Sequence, residues 1–470
     1  MQNQPVGAGL GRVGPPQGVP GYRLLSLLEP ARPRRIAASP RAPIFAVATV
    51  CIGAFMGQLD ASIVSVALPR MSGSFHASVG AVEWVSLSYV LTLVALVVPI
   101  GAWADSVGRK ALYIAGFAVF AAASAACAIA PDLPALCGCR VVQAVGAALM
   151  QANSVALIAA VAPRARLGRM VGLQAAAQAI GLAGGPALGG LLLSAGSWRL
   201  LFLVNVPAGI VGLGTAAMLL PRSRDLAPAR RIDPRGIALF VAAVAVGLLA
   251  MSFAGQSRDG VAAGVAGATA VVVAIVTGRH QRRSAAPLVQ PVVLSAPGLR
   301  RGLSAALCGY AALFGTLVVV PLFLTRDRHL GTTAVGLLTA ALPLGIGVAA
   351  PLAGRLADRM PSRVARSGLM LTVAALAITA VTRPAGPVLA LTLGAVGLGI
   401  GTFTPANNRS VMLAAPTGTS GAVAGLLNMT RGLGTAAGTA LAVLTFTASG
   451  GLAWPLVGFA VLGCFGLLAQ

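Results

Sequence analysis

Long apolar stretches alternate with short polar segments from residue 44 to the end of the chain. Each stretch is close to the ~20 residues that a helix needs to cross a bilayer. Fourteen can be delimited: 44–68, 80–103, 111–131, 133–161, 168–194, 200–220, 236–254, 260–277, 302–324, 333–356, 365–382, 387–408, 421–447 and 451–469. Apolar and polar residues do not alternate with a period of two inside them, which excludes a membrane barrel. The pattern therefore predicts an all-α integral membrane protein with fourteen spans.

The composition supports a membrane location. Hydrophobic residues make up 57% of the chain and charged residues 9%, whereas about a quarter of a soluble domain is charged. The basic residues comprise one Lys and 33 Arg, a usage typical of a GC-rich bacterial genome. We therefore expect a multi-pass protein of the bacterial plasma membrane, monomeric and surrounded by lipid.

The arginines indicate how the chain is oriented. If the N-terminus is cytoplasmic, 26 of the 34 basic residues fall in inside segments and 6 in outside segments. An excess of Lys and Arg marks the cytoplasmic side of membrane proteins. The count predicts that both termini are cytoplasmic. Because these residues form short clusters and no basic domain, a nucleic-acid partner is not expected, despite the net charge of +24.

The order of polar segments predicts a domain organisation. Residues 1–42 are rich in Pro, Gly and Arg, which predicts a disordered cytoplasmic tail. The segments 43–222 and 302–470 would each form a six-helix bundle. Two inserted helices (236–277) and a cytoplasmic linker (278–301) would separate them. The two halves resemble distant repeats, because glycine, acid and arginine recur at similar offsets after the second and tenth spans.

Asp60 lies inside the first apolar stretch, with no other acid within 20 residues on either side. A carboxylate in hydrocarbon costs several kcal/mol, so such residues usually face a cavity or a proton path. Asp60 is therefore predicted to bind and release protons during transport. Glu83, at the outer end of the second span, is a second candidate, although exposure to solvent is an equally good interpretation of its position.

Two further charged motifs are candidates for function. Arg140 is early in the fourth span, where a buried guanidinium needs an acceptor. Asp60 is one possible partner, and snorkelling to the interface is the alternative. In Gly101-Ala102-Trp103-Ala104-Asp105-Ser106-Val107-Gly108-Arg109, an acid and a base four residues apart in a predicted cytoplasmic turn suit a conformational latch. An ordinary basic loop is the simpler interpretation, but the related Asp358 loop in the second half favours the latch.

Glycines cluster around one proline in the fifth span. Gly181, Gly185, Pro186, Gly189 and Gly190 combine close helix packing with a potential kink, which is what a moving gate requires.

These motifs resemble those of the major facilitator superfamily, and specifically its fourteen-span drug:proton antiporters. The matching stretches begin at Leu59-Asp60, Gly101, Arg140 and Gly181, and a fifth, Trp198-Arg199…Phe202…Asn205-Val206-Pro207, is similar. The resemblance implies two six-helix bundles around a central cavity, with proton influx driving the substrate out. It also implies proton-relay roles for Asp60 and Arg140, a latch at Gly101, Asp105, Gly108 and Arg109, and a hinge at Gly185 and Pro186.

The second half departs from this pattern. Pro361-Ser362 replaces the glycine expected before Arg363, which predicts a weaker latch there. The spans of that half contain no acid, whereas family members that export lipophilic cations often use an extra one. Neutral, zwitterionic or acidic substrates are therefore expected. Gln143, Asn407, Asn428 and Arg431 are candidate cavity residues, with snorkelling as the alternative for Arg431.

The leading functional prediction is proton-driven export of hydrophobic small molecules, such as antibiotics or toxic compounds. Alternatives are a dedicated exporter of an amino acid, peptide or siderophore-like metabolite, and a facilitator without antiport. An enzyme is not expected, because the three histidines are scattered. No Gly-x-x-x-x-Gly-Lys loop is present, so ATP drive is unsupported. No cofactor or metal site is expected, and the proton gradient is the predicted energy source.

Overall fold

The computed structural model describes residues 29–222, 233–256, 260–284, 287–288, 296–416, 419–449 and 451–468. Their regular structure is helical, with no strand in these ranges. The helices are α1 (Arg34–Ala37), α2 (Ala42–Phe75), α3 (Val79–Val107), α4 (Arg109–Ala128), α5 (Leu133–Val161), α6 (Leu167–Ser194), α7 (Leu200–Leu203), α8 (Asn205–Leu219), α9 (Pro234–Gln256), α10 (Gly260–Arg283), α11 (Pro297–Arg326), α12 (Thr332–Ala357), α13 (Pro361–Thr382), α14 (Gly386–Leu413), α15 (Ser420–Ser449) and α16 (Ala453–Leu468).

Ten helices within those ranges are long and apolar enough to cross a membrane. They include α2 to α6, the continuous segment 200–219, and α11 to α14. Two shorter apolar helices, Pro234–Gly247 and Ala453–Leu468, also occur. The all-helical membrane architecture is thus confirmed, whereas the count of fourteen spans stays a prediction.

Several helices are longer than the apolar stretches that predicted them. α2 continues to Phe75 although Pro69 lies inside it. α10 continues to Arg283 and α11 begins at Pro297, so helix covers both ends of the predicted linker 278–301. The apolar stretch marks only the part of a helix that lipid or protein covers, and the polar turns beyond it still satisfy their backbone groups within the helix.

The N-terminal segment 29–32 packs against the helix bundle. The Lys110 ammonium at the start of α4 donates to the carbonyl oxygens of Pro30, Ala217 and Leu220, each at 2.8 Å. The backbone N–H of Ala111 donates to Glu29 Oε1 at 3.2 Å. The segment 29–32, which belongs to the predicted tail of residues 1–42, is therefore held against the start of α4. Residues 1–28 lie outside the described ranges.

The two halves meet closely where α6 packs on α12 and α3 packs on α15. A Cβ on Gly354 would lie 2.4 Å from the carbonyl oxygen of Gly168, and one on Gly101 would lie 2.4 Å from that of Gly421. Backbones can approach this closely only where side chains are absent. These contacts lie near Arg109, so we call this side of the bundle the Arg109 end.

Trp198, which lies just before α7, is a buried packing residue. Its side chain is 3% exposed, and its ring centroid lies 5.3 Å from that of Phe75. The Arg199 guanidinium covers the same ring at 4.5 Å and donates to the Ala130 carbonyl oxygen at 3.1 Å. The indole is thus a packing element that joins α2 to the start of α7, because its apolar area is better buried than left at an interface.

Candidate functional site

Asp60 lies in the middle of α2 and is fully buried. Its Oδ2 accepts a hydrogen bond from Arg140 Nη1 at 2.6 Å. Its Oδ1 accepts from Gln143 Nε2 at 2.9 Å and from Asn205 Nδ2 at 2.8 Å. Three helices, α2, α5 and α8, therefore converge on one carboxylate. We call Asp60, Arg140, Gln143 and Asn205 the carboxylate cluster.

Arg140 is held on several sides and is 1% exposed. Besides Asp60, it donates from Nε to the Val85 carbonyl oxygen at 3.0 Å and from Nη1 to Gln143 Oε1 at 2.7 Å. Its Cζ lies 4.2 Å from the centroid of the Tyr89 ring. The structure thus brings Arg140 to Asp60, and the snorkelling alternative is wrong because the guanidinium points into the bundle and finds an acceptor there.

Asn205 and Tyr89 were not assigned a role from the sequence. Asn205 follows the short helix α7 within the predicted sixth span, and an amide in an apolar stretch is itself a signal that a partner is near. Gln143 is one helical turn from Arg140, a spacing that puts both side chains on one face. Nothing in the spacing of Tyr89 pointed to the guanidinium of another helix.

A cavity of about 250 Å³ lies between the two halves, next to the carboxylate cluster. Its lining is mostly apolar, with amides, aromatic rings and one arginine: Gly57, Gln58, Ala61, Tyr89, Val90, Leu93, Val94, Val97, Gln151, Gln178, Leu182, Tyr310, Phe314, Asn428, Arg431, Gly432 and Thr435. Tyr89 belongs to this lining and also contacts Arg140. Its ring therefore forms the wall between the cavity and the buried ion pair.

Arg431 and Asn428 line the cavity from α15. Arg431 Nη1 donates to Asn428 Oδ1 at 3.2 Å, and Nη2 donates to the Tyr310 hydroxyl oxygen. The guanidinium also lies over the Tyr310 ring, 4.6 Å from its centroid. Asn428 Nδ2 donates to the Gln151 carbonyl oxygen of the other half at 2.9 Å. Only 5% of Arg431 is exposed, so snorkelling does not describe it.

Other predicted site residues lie elsewhere. Gln143 belongs to the carboxylate cluster and is absent from the cavity lining, because its amide bonds Asp60. Asn407 donates to the Gly302 carbonyl oxygen at 3.0 Å and joins α14 to α11. Glu83 is half-buried near the start of α3, outside the lining. No group of three or more His, Cys, Asp or Glu side chains that could hold a metal forms within the described ranges.

The predicted latch turn is shorter than expected. α3 continues to Val107, and Gly108 alone, with a φ of 115°, separates it from α4. A side chain would be strained at that φ, which explains the glycine. Arg109 Nη2 donates to Ser420 Oγ at 2.6 Å, at the first residue of α15. The Asp105 side chain lies outside what the structure describes. Asp105 and Arg109 are therefore on different helices, and Arg109 reaches the other half.

Asp358 makes the corresponding contact from the second half. Oδ1 accepts from the backbone N–H of Gly168 at 2.6 Å and Oδ2 from that of Arg169 at 3.2 Å. Arg409 Nε lies 3.3 Å from Oδ1. A carboxylate at the start of α6 satisfies free N–H groups and complements the helix dipole. Asp358 therefore joins the halves at the Arg109 end, although Pro361-Ser362 replaces the expected glycine.

Three glycines of the predicted hinge pack α6 against α2. A Cβ on Gly181 would lie 2.5 Å from the Phe55 carbonyl oxygen, and one on Gly185 would lie 1.9 Å from Ser62 Oγ. A Cβ on Gly189 would lie 3.1 Å from Ile63. Gly184 and Gly190 face open space, and Pro186 is exposed inside α6. The glycines four residues apart thus form the contact face.

Comparison with known proteins gives one family. The sequence matches the family described as Major Facilitator Superfamily over residues 50–289 and 302–469. The chain is 31% identical to the uncharacterized transporter YebQ of Escherichia coli, with 85% of this chain and 88% of that protein covered. It is 27% identical to the riboflavin transporter RibZ of Clostridioides difficile (83% and 85% covered). It is 30% identical to the multidrug resistance protein Stp of Mycobacterium tuberculosis (83% and 73% covered).

Solved structures share the fold. The human organic anion transporter MFSD10 (TETRAN) aligns with a TM-score of 0.68 at 18% identity, covering 92% of this chain and 99% of that one. The proton:xylose symporter XylE aligns with a TM-score of 0.63 at 12% identity, covering 91% and 94%. At such identities the likeness shows the fold alone.

Proposed function

Because the chain belongs to the Major Facilitator Superfamily and is a multi-pass membrane transporter, we propose that it is a fourteen-span proton-coupled antiporter. It exports hydrophobic small molecules, such as antibiotics or toxic compounds, across the bacterial plasma membrane, with both termini cytoplasmic. The observation that carries this proposal is the buried ion pair Asp60–Arg140, at 2.6 Å, separated from the cavity by the ring of Tyr89.

The composition of the carboxylate cluster supports proton coupling. When Asp60 is ionised, Arg140, Gln143 and Asn205 all donate to it. When it binds a proton, the Coulomb attraction to Arg140 is lost and the guanidinium carries an uncompensated buried charge. Arg140 must then shift toward other acceptors or toward Tyr89. Protonation of Asp60 thereby changes the cavity wall, which is how a proton and a substrate compete.

The contacts between the halves support alternating access. Asp358 on the start of α6 and Arg109 on Ser420 of α15 hold the Arg109 end closed. Their release opens that end to the cytoplasm, where the basic residues are concentrated. The packed glycines of α6 and α2 let these helices move as one unit. Such rocking of one half against the other is a common basis of transport.

The cavity supports a hydrophobic substrate. Val90, Leu93, Val94, Val97, Leu182 and Phe314 give it apolar walls, and amides are its main polar groups. Such a lining binds by burial of apolar area with few orienting contacts. Similarity to a multidrug resistance protein at 30% identity is consistent with export of drugs.

A dedicated metabolite transporter is the second candidate. The riboflavin transporter at 27% identity covers as much of this chain as the multidrug relative does. Tyr89, Tyr310 and Phe314 in the cavity suit one planar substrate as well as many. A substrate panel separates the two functions, because a dedicated carrier responds to one compound class and a multidrug exporter to several.

The test is substrate-induced proton movement in proteoliposomes with an internal pH dye. Wild type is compared with Asp60→Asn and with Glu83→Gln, which removes the other candidate carboxylate. We expect substrates to dissipate an imposed pH gradient in wild type and Glu83→Gln and not in Asp60→Asn. An Asp60→Asn variant that responds like wild type would contradict the role of Asp60. Substrate flux in wild type that is indifferent to the gradient would contradict antiport and favour a facilitator.

A further inference from the structure

Three arginines are buried in the described part of the helix bundle, and they differ in their partners. Arg140 pairs with Asp60 at 2.6 Å, and Arg409 lies 3.3 Å from Asp358. Arg431 is 5% exposed and forms no ion pair with an Asp or Glu that the structure describes. Of these three arginines, it is the one whose charge no described carboxylate compensates.

The neighbours of Arg431 are neutral. Its two hydrogen bonds go to Asn428 Oδ1 and to the Tyr310 hydroxyl, and the Tyr310 ring covers one face. A guanidinium has five N–H donors, so these two contacts use a minority of them. The remaining donors are available to a planar acceptor, and a carboxylate fits this fork with two parallel hydrogen bonds.

The part of the cavity lining that the structure describes carries no charge that opposes Arg431. Those lining residues include no Asp, Glu or Lys. Asp60 is fully buried and already accepts three hydrogen bonds, with Tyr89 between it and the cavity. A buried charge without a partner is costly, so an anion that enters gains the energy of compensating it. A cation would add a second like charge instead.

The other residues of the cavity lining determine which kind of molecular body can carry the anionic group. The Tyr310 and Phe314 rings are stacked, with centroids 6.2 Å apart and planes at 25°. Val90 and Leu93 add aliphatic area, and 250 Å³ accommodates a body of about two fused rings. Inorganic phosphate would leave this apolar wall unused.

We infer that Arg431 binds the carboxylate of an organic anion whose aromatic, apolar body lies against Tyr310 and Phe314. This inference rests on the proposed function and narrows its substrate class from hydrophobic molecules to amphipathic anions. Neutral and zwitterionic compounds bind more weakly because they leave the charge of Arg431 wholly or partly uncompensated.

Binding to the purified full-length protein, without a pH gradient, tests the inference separately from antiport. The probes are naphthoate, naphthamide and naphthylmethylammonium, which share one body and carry negative, zero and positive charge. Their dissociation constants are measured by microscale thermophoresis at neutral pH. We expect naphthoate to bind about tenfold or more tightly than naphthamide, as charge-assisted hydrogen bonds predict, and the cation to bind most weakly.

Variants assign the preference to Arg431. Arg431→Gln should abolish the difference between naphthoate and naphthamide, and Arg431→Lys should keep part of it, because the charge remains without the fork. Arg383→Gln is the matched control, since it removes the same charge from an exposed site. If naphthoate binds no more tightly than naphthamide in wild type, including the case in which neither binds, the inference is wrong. It is also wrong if Arg431→Lys and Arg431→Gln both retain the full preference.

The two proposals fail in distinguishable ways. If the anion preference depends on Arg431 but transport is independent of the pH gradient, the anion site is supported and antiport is rejected. If the pH gradient drives transport of all three probes and they bind with equal affinity, antiport is supported and the anion site is rejected.

Discussion

Asp358, which follows the last residue of α12, accepts a 2.6 Å hydrogen bond from the backbone N–H of Gly168 at the start of α6. The two residues are 190 positions apart and belong to different halves of the bundle. The Asp358 carboxylate therefore interacts with the dipole of α6, and this interaction holds the two halves together. Because Gly354 and Gly168 also touch backbone to backbone nearby, this contact and the glycine contact open or close together.

Asp358→Asn should open the Arg109 end. The amide retains the shape of the side chain, but it loses the negative charge that attracts the α6 N-terminus and Arg409. A charge at a helix terminus is worth about 0.5–2 kcal/mol, which changes a two-state population by roughly twofold to thirtyfold. Spin labels at the exposed residues 166 and 359 should report a larger population of long distances. An unchanged distance distribution would show that the glycine contacts alone close this end.

Tyr89 should couple the ion pair to the cavity. Replacing it with Leu removes the ring that lies 4.2 Å from the Arg140 guanidinium, while Tyr89→Phe keeps a ring there. A desolvated cation–π contact is worth about 2 kcal/mol. We expect Tyr89→Leu to reduce the protons moved per substrate and Tyr89→Phe to stay near wild type, as measured by dye-loaded proteoliposomes. Equal losses in both variants would assign the role to the hydroxyl instead.

Gly185→Ala should destabilise the packing of α6 on α2. The added Cβ would lie 1.9 Å from Ser62 Oγ and 2.6 Å from Ser62 Cβ, so one helix must move. Overpacking of this kind costs about 1–3 kcal/mol, and the melting temperature in detergent should fall. Gly184→Ala is the matched control, because its Cβ meets open space and should leave the melting temperature unchanged or raise it. Similar melting temperatures for the two variants would contradict the packing argument.

Asp233 fixes the hairpin of α9 and α10. Its pKa falls to about 2, chiefly because the backbone N–H of Gly236 donates to it, and then because of Ser284 and His280. A lowered carboxyl pKa means that the folded state favours the charged form. The stabilisation is complete above the ordinary value of 3.8 and is lost as pH falls toward about 2. The carboxylate is therefore ionised throughout the physiological range.

Asp233→Asn should loosen this hairpin at neutral pH. Amide hydrogen exchange at the start of α9, read by mass spectrometry, should be faster in the variant than in wild type. The ratio of the two rates should stay above one both near pH 7 and near pH 5, because Asp233 stays ionised at both values. A ratio that disappears near pH 5 would show that a different group holds the hairpin.

The sequence was informative where the membrane imposes strong constraints. Unpaired charges are costly in hydrocarbon, so Asp60 and Arg140 could be singled out from their position alone. Small residues four apart likewise predicted that α6 packs closely on another helix. The span boundaries were shorter than the helices, because hydropathy reports the apolar part and α2 continues past Pro69 to Phe75.

The sequence did not identify the contacts that Asn205 and Tyr89 make with distant segments of the chain. The spacing of Asn205 gives no reason for it to meet Asp60 rather than lipid, and Tyr89 reaches Arg140 only because α3 packs on α5. Asn407 looked like a cavity residue because it is polar within a span, yet its amide satisfies the Gly302 carbonyl oxygen. A sequence shows that a polar side chain within a span needs a hydrogen-bond partner. It does not show which residue is that partner, because the partner depends on how the helices pack.

The burial of Lys110 gives the protein a chemical reporter. It is the only lysine in the chain, it is 0% exposed, and residue 30 of the N-terminal segment covers its ammonium. Amine-acylating reagents should therefore spare this side chain while the segment is docked. If the segment detaches, Lys110 becomes a new acylation site. Mass spectrometry can then follow the docking of residues 29–32 during turnover.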